Sequence, residues 1–131
     1  MVNNDRLSFL NSISDKIIGA AIEVHKELGP GLLESVYEVC LYQELKKQGV
    51  SVDFQLDLPI IYKGEITNKT YRIDMLVENC VIVELKSVDT INPIHEAQLL
   101  TYMKLLNINL GLLINFNVDI LKKGIRRRIL G

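Results

Sequence analysis

Apolar residues recur at helical spacing in two early stretches, then alternate with polar ones, then return to helical spacing. Ile17, Ala21, Val24 and Leu28 form the first stripe. That spacing predicts a helix starting near Ser14, whose hydroxyl suits a cap. Met1 to Asn11 precede the stripe and are expected to be loose or to add one turn. Gly29-Pro30-Gly31 stops the helix, because glycine accepts the left-handed exit and proline cannot continue the ladder. A second helix is predicted from about Leu33 to Gln48, with Val36, Tyr37, Cys40, Leu41 and Leu45 on its inner side and Gly49 closing it. The period then changes. Val50 to Phe54 and Leu58 to Tyr62 read as strands, and Lys63-Gly64-Glu65 as a turn. Thr70 to Val77 and Val81 to Lys86 form a further pair. Asn92-Pro93 introduces a helix from about Ile94 to Leu106, Leu110 to Phe116 reads as a buried strand, and Gly124 to Leu130 as a last one. The order of elements predicts an α/β domain with one central mixed sheet flanked by helices. Residues 1–12 are assigned to an N-terminal extension and residues 13–131 to a single domain.

Two of these strands carry charge inside apolar runs. Arg72-Ile73-Asp74-Met75 lies on one, and Val83-Glu84-Leu85-Lys86 on the next. Buried charge is costly, so such residues have a partner, a metal or a task. Whether Asp74 and Glu84 meet depends on the loop between the strands, because side chains alternate. A two-residue loop, Glu78-Asn79, places Asp74 opposite Val83 and Glu84 opposite Ile73. A three-residue loop, Glu78-Asn79-Cys80, pairs Val77 with Val81, Met75 with Val83 and Ile73 with Leu85 on an apolar face. It pairs Leu76 with Ile82, Asp74 with Glu84 and Arg72 with Lys86 on the other. The second register matches neighbours and is the one expected. Two carboxylates about 5 Å apart cannot both stay ionised without a nearby cation. Mg²⁺ or Mn²⁺ suits such hard oxygen donors. Arg72 and Lys86 pairing the acids in a self-neutralised cluster would explain the same local pattern without an ion.

Composition sets outer bounds. The chain has 131 residues, 48% of them hydrophobic, with 15 basic and 16 acidic residues and a formal charge of −1. One domain of this size buries about two thirds of its unfolded surface. No basic coat is present, so contact with a polyanion has to come from a local patch. Apolar runs fall short of the ~18 residues of a membrane helix, and the first residues lack the order of a signal peptide. Cys40 and Cys80 show no CxxC spacing, and free thiols in a reducing cytosol are expected. A cytoplasmic protein with no membrane partner is expected.

Asp74 followed by Glu84-Leu85-Lys86 resembles the core motif of the PD-(D/E)XK nucleases. Gln98-Leu-Leu-Thr-Tyr102 resembles the Q-x-x-x-Y element of the exonuclease-like branches of that superfamily. Gly31-Leu-Leu-Glu34-Ser-Val-Tyr37 is the string that names the GxxExxY protein family, and its surroundings from Val24 to Glu34 are similar too. The likeness covers about residues 13 to 129. Ile73 stands where the superfamily's name has proline.

The resemblance implies a restriction-endonuclease-like core and a Mg²⁺- or Mn²⁺-dependent nuclease acting on nucleic acid, with DNA the expected substrate and RNA the second. It implies that Asp74, Glu84, the main-chain carbonyl of Leu85 and Glu34 bind the metal. Lys86 would act on the attacking water and the phosphoryl charge, with Gln98 and Tyr102 contacting lysine or substrate. His25, Tyr37 and Arg72 are second-rank candidates around the site. His25 otherwise reads as a hydrogen-bonded core histidine, and Tyr37 as a packing residue with a tethered hydroxyl. Arg126, Arg127 and Arg128 are candidate phosphate contacts, or else a solvated edge that deters strand addition. Glu38 reads as a complement to the positive end of its helix. The competing function is a non-catalytic nucleic-acid-binding or protein-interaction module that keeps the fold. A small-molecule phosphohydrolase lacks a phosphate loop here.

Overall fold

The stripe of the first helix runs further toward the N-terminus than the pattern around Ser14 suggested. In the computed structural model, which describes residues 2–131, helix α1 spans Asn4–Leu28. Asn3 caps it, its side-chain oxygen accepting the Arg6 N–H at 2.8 Å. Ser14 is therefore no cap but a buried residue of the helix interior. Leu10 and Ile13 extend the i, i+3, i+4 spacing backward from Ile17, and their burial draws the preceding residues into the helix. Met1, the first residue of the stretch expected to be loose, lies outside the described residues. Gly29 ends α1 at φ 69°, its N–H donating to the His25 carbonyl at 2.8 Å.

Helix α2 spans Glu34–Lys47 and buries Tyr37, Glu38, Leu41 and Leu45. Its inner face is rotated from the one expected. Val36 is exposed, and Cys40 is only half-buried against the core. The segments predicted as two strands form one, β1 (Val52–Tyr62), which turns at Lys63-Gly64 into β2 (Glu65–Val77). Strand β3 (Val81–Lys86), helix α3 (Pro93–Leu106), β4 (Leu110–Asn115), a short 3₁₀ helix (Leu121–Gly124) and β5 (Ile125–Ile129) complete the fold. The sheet order is β1-β2-β3-β4-β5. Only β3 and β4 run parallel, joined by the crossover through α3. The α/β class and the mixed sheet flanked by helices are as expected. Among the described residues no helix is long and apolar enough to cross a membrane.

Helices α1 and α2 cover one face of the sheet, over Met75, Val77, Val83, Leu85 and Leu112. Helix α3 covers the other, with Leu99, Tyr102 and Met103 over Leu76, Ile82 and Leu113. Gly111 lets α3 approach: a Cβ there would lie 2.6 Å from Met103 Sδ and 2.9 Å from Leu99 Cδ1.

The β2–β3 register is that of the three-residue loop, with Val77 opposite Val81, Leu76 opposite Ile82 and Met75 opposite Val83. There the ladder stops. The expected pairs Asp74–Glu84, Ile73–Leu85 and Arg72–Lys86 do not form as ladder pairs. Alternation also fails at this point. Ile73 packs on the α3 side, whereas Leu85 and Met75 stay on the α1–α2 side. On β1, Phe54 and Leu56 divide in the same way, and Gln55 between them has φ 55°. The sheet is twisted open at Asp74, and the acidic side chains enter the gap.

Candidate metal centre and active site

The opening between β2 and β3 is closed by side chains where main-chain pairing ends. The Asp74 N–H donates to Glu84 Oε2 at 2.7 Å, and the Leu85 N–H donates to Asp74 Oδ2 at 2.8 Å. Each acid thus replaces a ladder acceptor for the other strand and keeps its second oxygen. This interlock holds Asp74 and Glu84, 7% and 4% exposed, toward one cavity. The cavity measures about 400 Å³ and is also lined by Glu34, Glu38, Arg72, Lys86, Gln98 and Tyr102.

Helix α2 brings two more acids. Oxygens of Glu34, Glu38 and Asp74 lie within 4.8 Å of one another. Sequence alone casts Glu38 chiefly as a complement to the helix end, with a metal role ranked well behind that of Glu34, yet it is buried beside Asp74. Its signal is the i, i+4 spacing to Glu34, which puts both acids on one helix face. Arg72 does not neutralise the Asp74–Glu84 pair, as a self-neutralised cluster requires. Its guanidinium pairs with Glu38 at 3.3 Å, and Gln55 Nε2 donates to the same Glu38 oxygen at 3.4 Å.

The crowding has an electrostatic result. Burial, and then the adjacent Asp74 charge, push Glu84 up to about 8. Burial, and then Glu38 and Glu34, push Asp74 up to about 6 against the Leu85 N–H, which pulls it down. Burial raises Glu34 as well, with Lys86 opposing. The Asp74 and Glu84 shifts both favour a proton retained by that pair in the metal-free centre. Hard oxygen donors from α2 and β2 that converge within 4.8 Å, with Glu84 of β3 on the same cavity and more negative charge than Arg72 and Lys86 offset, fit a divalent cation.

A hydroxyl tether positions Glu34. Tyr37 donates to the Gly29 carbonyl at 2.6 Å and accepts the Leu32 N–H at 3.1 Å, while its ring stacks on Phe116 at 4.4 Å. Ser87, just after Lys86, donates to the Leu32 carbonyl at 2.6 Å. The turn before Glu34 is thus gripped from its own helix and from the end of β3. Gly31 serves this turn at φ 95°. Tyr37→Phe leaves the Leu32 N–H and one acceptor on Gly29 without this partner. It is expected to lower stability by about 1–3 kcal/mol in urea unfolding. A change below about 0.5 kcal/mol would show that the tether is not what holds the turn.

Over residues 11–128 the chain matches the family model described as PD-(D/E)XK nuclease superfamily. The chain belongs to the PD-(D/E)XK nuclease superfamily. No curated protein and no solved structure matches it. PD-(D/E)XK nucleases generally use divalent metal ions, in keeping with the carboxylate cluster.

In this PD-(D/E)XK protein the remaining expected residues divide into two groups. Lys86, half-buried at the end of β3, and Gln98 and Tyr102, on one face of α3, line the acidic cavity. Tyr102 is pushed up to about 12 by burial and by the Glu84 and Asp74 charges. Leu85 sits between the acids, its N–H held by Asp74 and its side chain in the core. The others lie elsewhere. His25 Nε2 is 2.8 Å from the Val118 carbonyl oxygen, beside Phe116 and outside the cavity lining. His95 closes a capping box with Asn92 at the start of α3. Arg126, Arg127 and Arg128 do not line the cavity. Arg126 donates to the Lys123 carbonyl at 3.1 Å, Arg127 to Asn11, and Arg128 pairs with Glu96.

Proposed function

We propose that the protein is a Mg²⁺- or Mn²⁺-dependent nuclease that hydrolyses phosphodiester bonds of DNA, with RNA as the second substrate, and that it groups with the GxxExxY proteins. The observation that carries this reading is the mutual clasp of Asp74 and Glu84 at the parting of β2 and β3, facing one cavity with Lys86. Asp74, Glu84, Glu34 and the Leu85 carbonyl would hold the ion. The bound ion supplies a Lewis acid for the phosphoryl oxygens and lowers the pKa of coordinated water. The Lys86 ammonium orients the attacking water and stabilises charge gathering on phosphorus. Tyr102, whose hydroxyl is pushed up to about 12 by burial and the nearby acids, serves as a hydrogen-bond donor to the phosphate. Gln98, exposed on the same wall, orients the scissile strand. Glu38, pinned by Arg72 and Gln55, keeps the field at the centre negative.

Incubation of the protein with plasmid and with single-stranded DNA, in Mn²⁺, Mg²⁺ or excess chelator, tests this. Cleavage in the two metals and none in chelator is expected. No cleavage of any DNA or RNA, together with no heat on titration with Mn²⁺, would leave the protein a binding module that kept the fold.

A further inference from the structure

The front half of β2 has no sheet partner besides β1. Its pairing with β3 ends at Met75, whereas its pairing with β1 continues from Ile73 opposite Leu56 to Glu65 opposite Tyr62. From Arg72 back to Glu65 this makes a two-stranded ribbon about 25 Å long. A bare ribbon is marginal in water, and this one presents apolar side chains at its tip. Ile61, Tyr62 and Ile66 are 61%, 65% and 73% exposed. The ribbon is braced: Thr67 donates to the Ile60 carbonyl at 2.7 Å where the register shifts, and Lys63-Gly64 close the turn at φ 50° and 82°. Its base is the cavity wall, since Thr70, Tyr71 and Arg72 line the acidic centre.

We propose that this ribbon is an arm that grips single-stranded nucleic acid, with Tyr62 stacking on an unpaired base and Lys63 and Lys69 contacting phosphates. The inference rests on the nuclease reading and adds to it the form of the substrate. An acidic cavity repels a polyanion, so cations on the surface leading away from its wall have to hold the strand. Arg128 is paired with Glu96, and Arg126 and Arg127 lie on β5 outside the cavity lining. Along residues 57–72 the arm carries Lys63, Lys69 and Arg72 against Asp57 and Glu65, with Arg72 committed to Glu38. Lys63 Nζ lies 5.5 Å from the Tyr62 ring centre, over one face, so aromatic surface and cation are presented together. An exposed ring beside a cation is the arrangement that stacks on bases of single strands, and bases within a duplex already stack on each other. A second copy of the chain is a poorer occupant. Three tip side chains fall well short of the ~800 Å² per partner of a stable interface.

The test is binding of labelled oligothymidine, oligouridine and a DNA duplex to the full chain in Ca²⁺, read by fluorescence anisotropy beside light scattering. Tyr62→Ala is expected to weaken single-strand binding about 5- to 100-fold, and Tyr62→Phe to restore it. Lys63→Ala with Lys69→Ala is expected to flatten the log–log salt slope by about 1.4. The residues are exposed, and unchanged circular-dichroism melts confirm intact folding. The arm is overturned if Tyr62→Ala binds single strands as the parent does, if the parent binds none, or if the variant instead halves the mass in solution. Cleavage by a protein whose Tyr62→Ala binds normally removes the arm and spares the nuclease. Tyr62-dependent binding without cleavage in any metal does the reverse.

Discussion

Lys86→Ala is expected to slow metal-dependent strand cleavage by roughly 10²–10⁴-fold while leaving the fold intact. The strand end does not rely on the side chain. The Lys86 carbonyl accepts the Phe116 N–H at 2.9 Å, and the residue pairs with Asn115 on β4, both through the main chain. The ammonium acts on charge. It lowers the proton affinity of Glu34, Asp74 and Glu84, opposing the burial that raises all three. Removing it makes the cavity more negative, so Mn²⁺ should bind the variant at least as tightly as the parent. Lost turnover with undiminished metal binding by calorimetry would therefore locate the defect in water orientation or transition-state charge. Lys86→Arg keeps the charge but not the compact ammonium, and is expected to recover only part of the rate. Parent-like cleavage by Lys86→Ala would remove lysine from the chemistry.

The β2–β3 pairing was legible because two constraints agreed. Apolar alternation and the length of the Glu78–Cys80 loop allow one register that matches neighbours, and Met75 faces Val83 as that register requires. What strand alternation does not encode is the point where a ladder gives way. Alternation makes Asp74 and Glu84 ordinary members of a facing pair. Instead each caps a main-chain N–H of the opposite strand, and Ile73 crosses to the α3 side. Glu38 is hidden for a related reason. A charged residue near a helix start has an adequate local explanation, and its burial becomes apparent only when α2 is laid against Arg72 and Gln55. Tyr37 goes the other way: a packing ring with a tethered hydroxyl is foreseeable from residue type, although its acceptor on Gly29 is not. At the N-terminus, Leu10 and Ile13 continue the helical stripe and Asn3 offers a cap, so the early start is readable from the same spacing carried further back.

Asp74→Asn is expected to separate stability from activity: cleavage is lost, Mn²⁺ binding weakens, and the metal-free protein melts higher at pH 8. The sign comes from the proton count. Asp74 at about 6 and Glu84 at about 8 both lie above their ordinary values near 4, so between those limits the folded chain holds protons that the unfolded chain has released. Stability from this pair is full below about pH 4 and drains away as pH rises to about 8. Asparagine keeps an acceptor for the Leu85 N–H and removes one of the repelling charges. The gain at pH 8 in chelator should be on the order of 1–3 kcal/mol, several degrees in Tm, and should shrink toward zero at pH 4. Mn²⁺ works in the opposite direction in the parent. Protons must leave before the carboxylates bind, so the Tm rise that Mn²⁺ produces should grow across the same pH window and be much smaller in the variant. Melting curves of parent and variant at pH 5 and 8, with chelator and with Mn²⁺, read out each of these differences. If the metal-free parent instead gains stability toward pH 8, and Asp74→Asn is the weaker protein there, Lys86 and the clasping N–H groups already satisfy the acids. The cluster would then be built to stand without an ion, and a metal centre between β2 and β3 would fail on its own thermodynamics.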